Sequence, residues 1–86
     1  GEVVYIDHFG NCITNIPADW VHGDCEIHVN RHRFDGVQAS YAGVNPGEPL
    51  AILASHGKLE IAVRNKNASR RLDIHRRDKV TVQLLK

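Results

Sequence analysis

The 86 residues carry a formal net charge of +1, with 42% apolar and 24% charged side chains. That length makes one small domain and leaves no room for a second core. No apolar run approaches the roughly 18 residues that a membrane-crossing helix needs, and no signal-peptide pattern stands at the start. The low net charge conceals two unlike halves. Residues 1–55 hold seven acids against two basic side chains, and residues 56–86 hold nine basic side chains against three acids. Such polarity marks either an anion-binding face or two parts that attract one another, and an internal or subunit contact is the expectation. The sequence opens on Gly1-Glu2 and has no methionine. It is therefore expected to be part of a longer protein, with part of any functional site outside it.

In chain order, the run "EVVYI" (2–6) is densely apolar, as expected of a strand covered on both faces. Cys12 lies in a further strand-like segment, and "PADWV" (17–21) predicts one helical turn with Pro17 at its start. "CEIHV" (25–29) alternates, with Cys25, Ile27 and Val29 facing inward and Glu26 and His28 facing out. Val29 to Phe34 reads as a hairpin turn, and "NPGEP" (45–49) as a rigid surface loop. "PLAILA" (49–54) is again dense. "KLEIAV" (58–63) places Leu59, Ile61 and Val63 on one face, and "KVTVQL" (79–84) does the same with Val80, Val82 and Leu84. Between these two, "NASRRL" (67–72) predicts a short basic turn capped by Asn67. Six or seven short strands with no long helix predict an all-β fold, a small antiparallel β-barrel whose closure hides its sheet edges. Cys12 and Cys25 are expected to be reduced, packed thiols of a cytoplasmic protein.

Three polar stretches interrupt this pattern. In "DHFGN" (7–11), Asp7 can accept from an ammonium, Phe9 offers a flat face, and Asn11 pairs a donor with an acceptor as a nucleobase edge does. The same residues also suit a plain β-turn with local hydrogen bonds. "SHGK" (55–58) can hold a carboxylate through backbone amides and a hydroxyl, or be a simple hairpin turn. "NAS" (67–69) can present backbone groups to a ligand or merely cap a helical turn. His22, His28 and His32 invite a metal reading, but a four-residue spacing suits a helix rather than a strand and hairpin, so no metal site is expected. The basic run "RRLDIHRRDK" (70–79) invites a nucleic-acid reading. The five aromatics (Tyr5, Phe9, Trp20, Phe34, Tyr41) all lie outside it, so a solvated or subunit-facing surface is expected, with nucleic-acid binding as the alternative. A purely structural or oligomerising barrel is the third reading.

The segments "IDHFGNCITNI" (6–16), "GEPLAILASHGKLEIAV" (47–63), "NAS" and "DKVTVQL" (78–84), in that order, resemble the C-terminal barrel domain of the S-adenosyl-L-methionine (SAM) hydroxide adenosyltransferases. These are the adenosine-forming SAM hydrolases, and fluorinase and chlorinase are their relatives. The resemblance implies a preceding N-terminal α/β domain, a homotrimer, and SAM bound between one subunit's N-terminal domain and a neighbour's barrel. It implies that hydroxide attacks C5′ to give adenosine and L-methionine, with SAM as substrate and no cofactor. By the same resemblance Asp7 would accept from the methionine ammonium, Phe9 would lie against adenine and Asn11 would bond its edge. Ser55 would hold the methionine carboxylate. His56 stands where halogenases carry arginine, and Lys66 likewise. Asn67 and Ala68 would meet adenine through backbone groups, and Tyr41 would lie against the nucleoside. Ile13 replaces the fluorinase tryptophan, which together with His56 points to the hydrolase branch. The Asp, Arg and His set that prepares the nucleophile belongs to the N-terminal domain, so no catalytic residue is expected in this sequence.

Overall fold

The period-two patterns become seven short strands in a computed structural model that describes residues 1–54 and 56–85. They are β1 (Val3–Ile6), β2 (Cys12–Pro17), β3 (Cys25–Val29), β4 (His32–Phe34), β5 (Pro49–Leu53), β6 (Lys58–Val63) and β7 (Val80–Leu84). One short helix, α1 (Ala68–Leu72), and two 3-10 turns, Ala18–Trp20 and Tyr41–Gly43, lie between them. Pro17 opens the first 3-10 turn, and the Asn67 side chain caps α1 by accepting from the Arg70 N–H, both as the sequence predicts.

The fold is all-β and every strand ladder is antiparallel, but it is not a closed barrel. The strands form a four-stranded sheet, β1-β2-β6-β5, and a three-stranded sheet, β4-β3-β7. At one seam β1 meets the approach to β7 through a single bridge, Glu2 to Lys79. Bonds from Val3 N–H to the Asp78 carbonyl (2.9 Å) and from Val80 N–H to the Gly1 carbonyl (2.9 Å) flank it. At the other seam Gln38 bridges Ile52. The physical reason is strand length: β4 ends after three residues, and Gly36 at φ 92° turns the chain before it reaches β5. β1 is four residues long and its register slips between Val3 and Tyr5. Neither seam is long enough for a continuous ladder.

The inner faces of both sheets share one core, built on Val3, Cys12, Ile27, Val29, Leu59, Ile61, Ile74 and Val80. β3 alternates as its sequence dictates, with Cys25, Ile27 and Val29 buried. β6 departs from simple alternation because both its faces are covered, so Glu60 and Ala62 are buried along with Leu59, Ile61 and Val63. On its outer side Ala62 packs with Leu50 and Ile52 beneath Val44, which forms a second small cluster. β1 corrects the reading in the opposite sense: as an edge strand covered on one face it leaves Val4 and Tyr5 exposed. In β7 the alternation fades, and Leu84 is exposed.

The β1–β2 turn is locked against α1. Gly10 sits at φ 87°, a region costly for any other residue, and a Cβ there would collide with the Asn67 side-chain amide. The Ser69 N–H donates to the Gly10 carbonyl at 2.9 Å. Gly10→Ala is therefore expected to destabilise the domain by about 2 kcal/mol or more, through backbone strain and steric overlap together. Thermal unfolding followed by circular dichroism reads this, and an unchanged midpoint would show that the turn relaxes freely.

Both cysteines are free and buried. Burial, reinforced by the charges of Asp7, Asp78 and Glu60, pushes the Cys12 thiol from 9.0 to about 12. Because the folded value lies above the unfolded one, this thiol contributes stability that is whole below pH 9 and is lost as the pH rises toward 12. A thiol-reactive disulfide reagent at about pH 8, below the thiol's ordinary range, should label neither cysteine in the folded protein and both in denaturant. Rapid labelling of Cys12 in the native state would contradict the packing.

Candidate functional site

A cleft of about 680 Å³ opens beside the β1–β2 turn, lined by Phe9, Asn11, Tyr41, Val63, Arg64, Asn65, Lys66 and Asn67. Three separate chain segments supply these walls: the β1–β2 turn, the 3-10 turn at Tyr41, and the β6–α1 connection. The Gly10–Asn67 contact holds the first and third together, so their convergence is a property of the backbone rather than of flexible side chains.

Asp7 organises the first wall. Its Oδ1 accepts from the backbone N–H groups of Phe9 and Asn11, both at 2.9 Å, and its Oδ2 accepts from the Asn11 side-chain amide at 3.2 Å. The Asp7 carbonyl also accepts from Gly10 N–H, and Asp7 N–H donates to the Asn11 carbonyl. With the Asn11 Nδ2 held by Asp7, the Asn11 position is fixed along the cleft wall. Phe9 remains 73% exposed, an aromatic face that the fold does not bury, with His8 set edge-on to it. An exposed rigid aromatic in a cleft suits stacking on a flat ligand.

The opposite wall is tethered from below. The Tyr41 hydroxyl donates to Glu60 Oε2 at 2.7 Å. Burial, that hydrogen bond, and the charges of Glu60 and Asp7 push the Tyr41 phenol from 10.0 to about 12, so it remains a neutral donor through the physiological range. The backbone at Asn65 takes φ 64°, which turns the chain out of β6 and brings Lys66 and Asn67 to the rim. Arg64 donates to the Val44 carbonyl at 2.7 Å, clasping the segment after Tyr41 against the end of β6. Two cations, Arg64 and Lys66, thus border the cleft.

Of the residues that the sequence singles out, Phe9, Asn11, Tyr41, Lys66 and Asn67 line this cleft. Asp7 lies behind it as the brace of the turn. Ala68 is fully buried at the first position of α1, with Asn67 as its cap. His56 does not line the cleft, but its Nε2 lies 3.6 Å from Glu60 Oε1, which connects its turn to Tyr41 through one carboxylate. Ser55 lies outside the described residues. Val63, Arg64, Asn65 and Glu60 are additions that the sequence reading missed. The signal for Glu60 was a lone acid inside an apolar strand, and for Asn65 an asparagine at a strand end, where left-handed backbone is tolerated.

The histidines of the metal reading have other contacts. His28 Nε2 pairs with Glu26 at 3.1 Å, and His32 Nε2 bonds the Leu72 carbonyl at 2.7 Å. None of Arg70, Arg71, Arg76, Arg77 and Lys79 lines the cleft that Phe9 and Tyr41 face.

Comparison with known proteins places the chain in a family. The chain is 36% identical over 74 residues to the (R)-S-adenosyl-L-methionine hydrolase of Thermus thermophilus, a match that covers 86% of this chain and 28% of that protein. Its fold superimposes on the crystal structure of a conserved hypothetical protein from Thermus thermophilus with a TM-score of 0.82, at 33% identity, covering 99% of this chain and 34% of the other. An uncharacterized conserved protein from Thermotoga maritima gives a TM-score of 0.80 at 35% identity, covering 98% of this chain and 34% of the other. The chain thus spans about a third or less of the length of these relatives. Residues 1–81 match the family described as the SAM hydroxide adenosyltransferase C-terminal domain, and the chain belongs to that family.

Proposed function

We propose that this domain forms one side of a SAM-binding site in a SAM hydrolase, holding the adenosine and methionine ends of the substrate. A preceding α/β domain would supply the residues that activate water. The observation that carries this reading is the cleft itself, where Phe9, Asn11, Tyr41, Lys66 and Asn67 converge from three segments on one rim. Phe9 and Tyr41 supply aromatic faces for a purine, and Asn11 supplies an amide matched to its edge. Asn67 presents backbone at the start of α1, with Ala68 buried beneath it. Asp7 keeps a lone pair on Oδ2 beyond its bonds within the turn, and its charge, felt at the Tyr41 phenol in the cleft wall, would attract the methionine ammonium. Ser55 and His56 would meet the methionine carboxylate.

In the reaction, hydroxide oxygen bonds to C5′ of the ribose as the C5′–S bond breaks. The bonding pair passes to sulfur, so the sulfonium becomes the neutral thioether of L-methionine, and adenosine is the second product. The proton removed from water goes to a base on the other domain. Sulfonium is already a competent leaving group, so the reaction needs no cofactor from this domain. Its contribution is to fix both ends of SAM so that nucleophile, C5′ and sulfur stand in line, with bulk water other than the nucleophile excluded. The cleft is open on one side, which suits closure by a neighbouring subunit in a homotrimer. Two buried free thiols suit a cytoplasmic location. Ile13, half-buried on β2, and His56 favour hydroxide over halide as the nucleophile.

The test is release of adenosine and L-methionine from SAM by the full-length protein, followed by chromatography, together with calorimetric binding of SAM and adenosine. Asn11→Ala should weaken binding of both by about 1–3 kcal/mol, the cost of an unpaired buried polar group. Unchanged affinity for both would remove the adenine assignment. Asp7→Asn keeps an acceptor for the turn but loses the charge, so it should weaken SAM more than adenosine, because only SAM carries the ammonium. Equal losses would leave Asp7 as a brace of the turn alone.

A further inference from the structure

Among the described residues Glu60 is the one buried charged side chain, 4% exposed in the middle of β6. An aliphatic residue at this position would pack beside Ala62 and Ile52 without the desolvation that a carboxylate suffers, which amounts to several kcal/mol unless its oxygens are well partnered. Its two oxygens face different loops, one through a hydrogen bond and the other through a longer contact. Oε2 accepts from the Tyr41 hydroxyl at 2.7 Å, and Oε1 lies 3.6 Å from His56 Nε2. The acid therefore ties the 3-10 turn of Tyr41 to the β5–β6 turn.

We propose that Glu60 is a positioning residue of the ligand site, holding the Tyr41 ring as a fixed wall of the cleft and joining the His56 turn to that wall. The inference rests on the cleft being a nucleoside site. Packing does not set the Tyr41 ring by itself. The 3-10 turn Tyr41–Gly43 has no buried residue, and Ser40 gives it no side-chain cap. Its neighbour Val44 is anchored, by Leu50, Ile52 and Ala62 below and by Arg64 at its carbonyl. Tyr41 itself is 42% exposed and has the Glu60 bond as its side-chain tether. A stacking ring held before the ligand arrives loses less rotamer freedom on binding, and that difference appears directly as affinity. Glu60 would thus act on the ligand without touching it, through the aromatic above and the histidine turn beside it.

The test uses the full-length protein and calorimetric titration with adenosine. Tyr41→Phe keeps the ring and removes only the tether, Glu60→Leu removes the acceptor, and Glu60→Gln keeps an acceptor without charge. Tyr41→Phe and Glu60→Leu should each weaken adenosine by about five- to ten-fold, toward the upper end of what ordering one side chain costs. The double variant should bind no more weakly than the worse single one, and Glu60→Gln should recover affinity to within about three-fold of wild type. A role confined to stability would lower the melting temperature and leave the affinity of the folded protein unchanged. Wild-type affinity in Tyr41→Phe, or losses that multiply in the double variant, would overturn the inference. If Glu60→Leu does not fold, Tyr41→Phe alone decides between these outcomes. Wild-type protein that binds neither adenosine nor SAM would remove the proposed function and this inference with it, whereas wild-type binding with an unaffected Tyr41→Phe removes the inference alone.

Discussion

The hydrogen bond from Ser69 to the Gly10 carbonyl, with the Asn67 side chain pressed against the bare α-carbon of Gly10, is the constraint on which the cleft depends. It joins a turn near the start of the chain to a helix cap far along it. Much of the cleft wall lies close to that junction or is braced by it. Asp7 sets the turn from inside, Asn67 caps α1 from outside, and Gly10 lets the two approach. Glycine matters here for two separate reasons, its left-handed backbone and the absence of a side chain where the Asn67 amide lies.

Around this junction the sheets divide the labour. The inner faces of both sheets form an apolar core that makes the loop positions rigid. The outer face of β5 and β6 is covered by a single passing segment, and there the domain keeps its buried acid. A carboxylate in such a place adds little to stability and can subtract from it. Its two partners come from the segments that shape the cleft and its neighbourhood, so the energetic cost falls beside the cleft rather than in the core.

Much of this was legible in the sequence. The alternation in "CEIHV" marks a half-buried strand and nothing else, and Asn67 before a short basic turn announces its own cap. "DHFGN" shows its polar content openly, and Phe9 and Asn11 from that stretch reach the same cleft as Tyr41, Lys66 and Asn67. What failed had a common cause: burial on the outer face depends on which segment crosses it, and local periodicity carries no record of that crossing. Glu60 reads as a solvent-facing alternate residue in "KLEIAV", yet the Tyr41–Val44 segment lies over it. Val4 and Tyr5 read as buried because "EVVYI" is dense, yet β1 is an edge strand with a bare outer side. The expectation of barrel closure follows from a short chain's need to hide its sheet edges, whereas the ladders end where β4 stops and β1 slips register, both matters of a residue or two. Of the residues that the family resemblance singles out, Phe9, Asn11, Tyr41, Lys66 and Asn67 border one cleft.

The three-stranded sheet also imposes an order on how the molecule comes to exist. β3 pairs on one side with β4, its immediate successor in the chain, and on the other with β7, some fifty residues further along. Until β7 is in place this half of the fold is a two-stranded hairpin, which is marginal in water by itself. During synthesis one edge of β3 therefore stays without its strand partner while the intervening strands are made. The sheet gains its full protection only when β7 has cleared the ribosome.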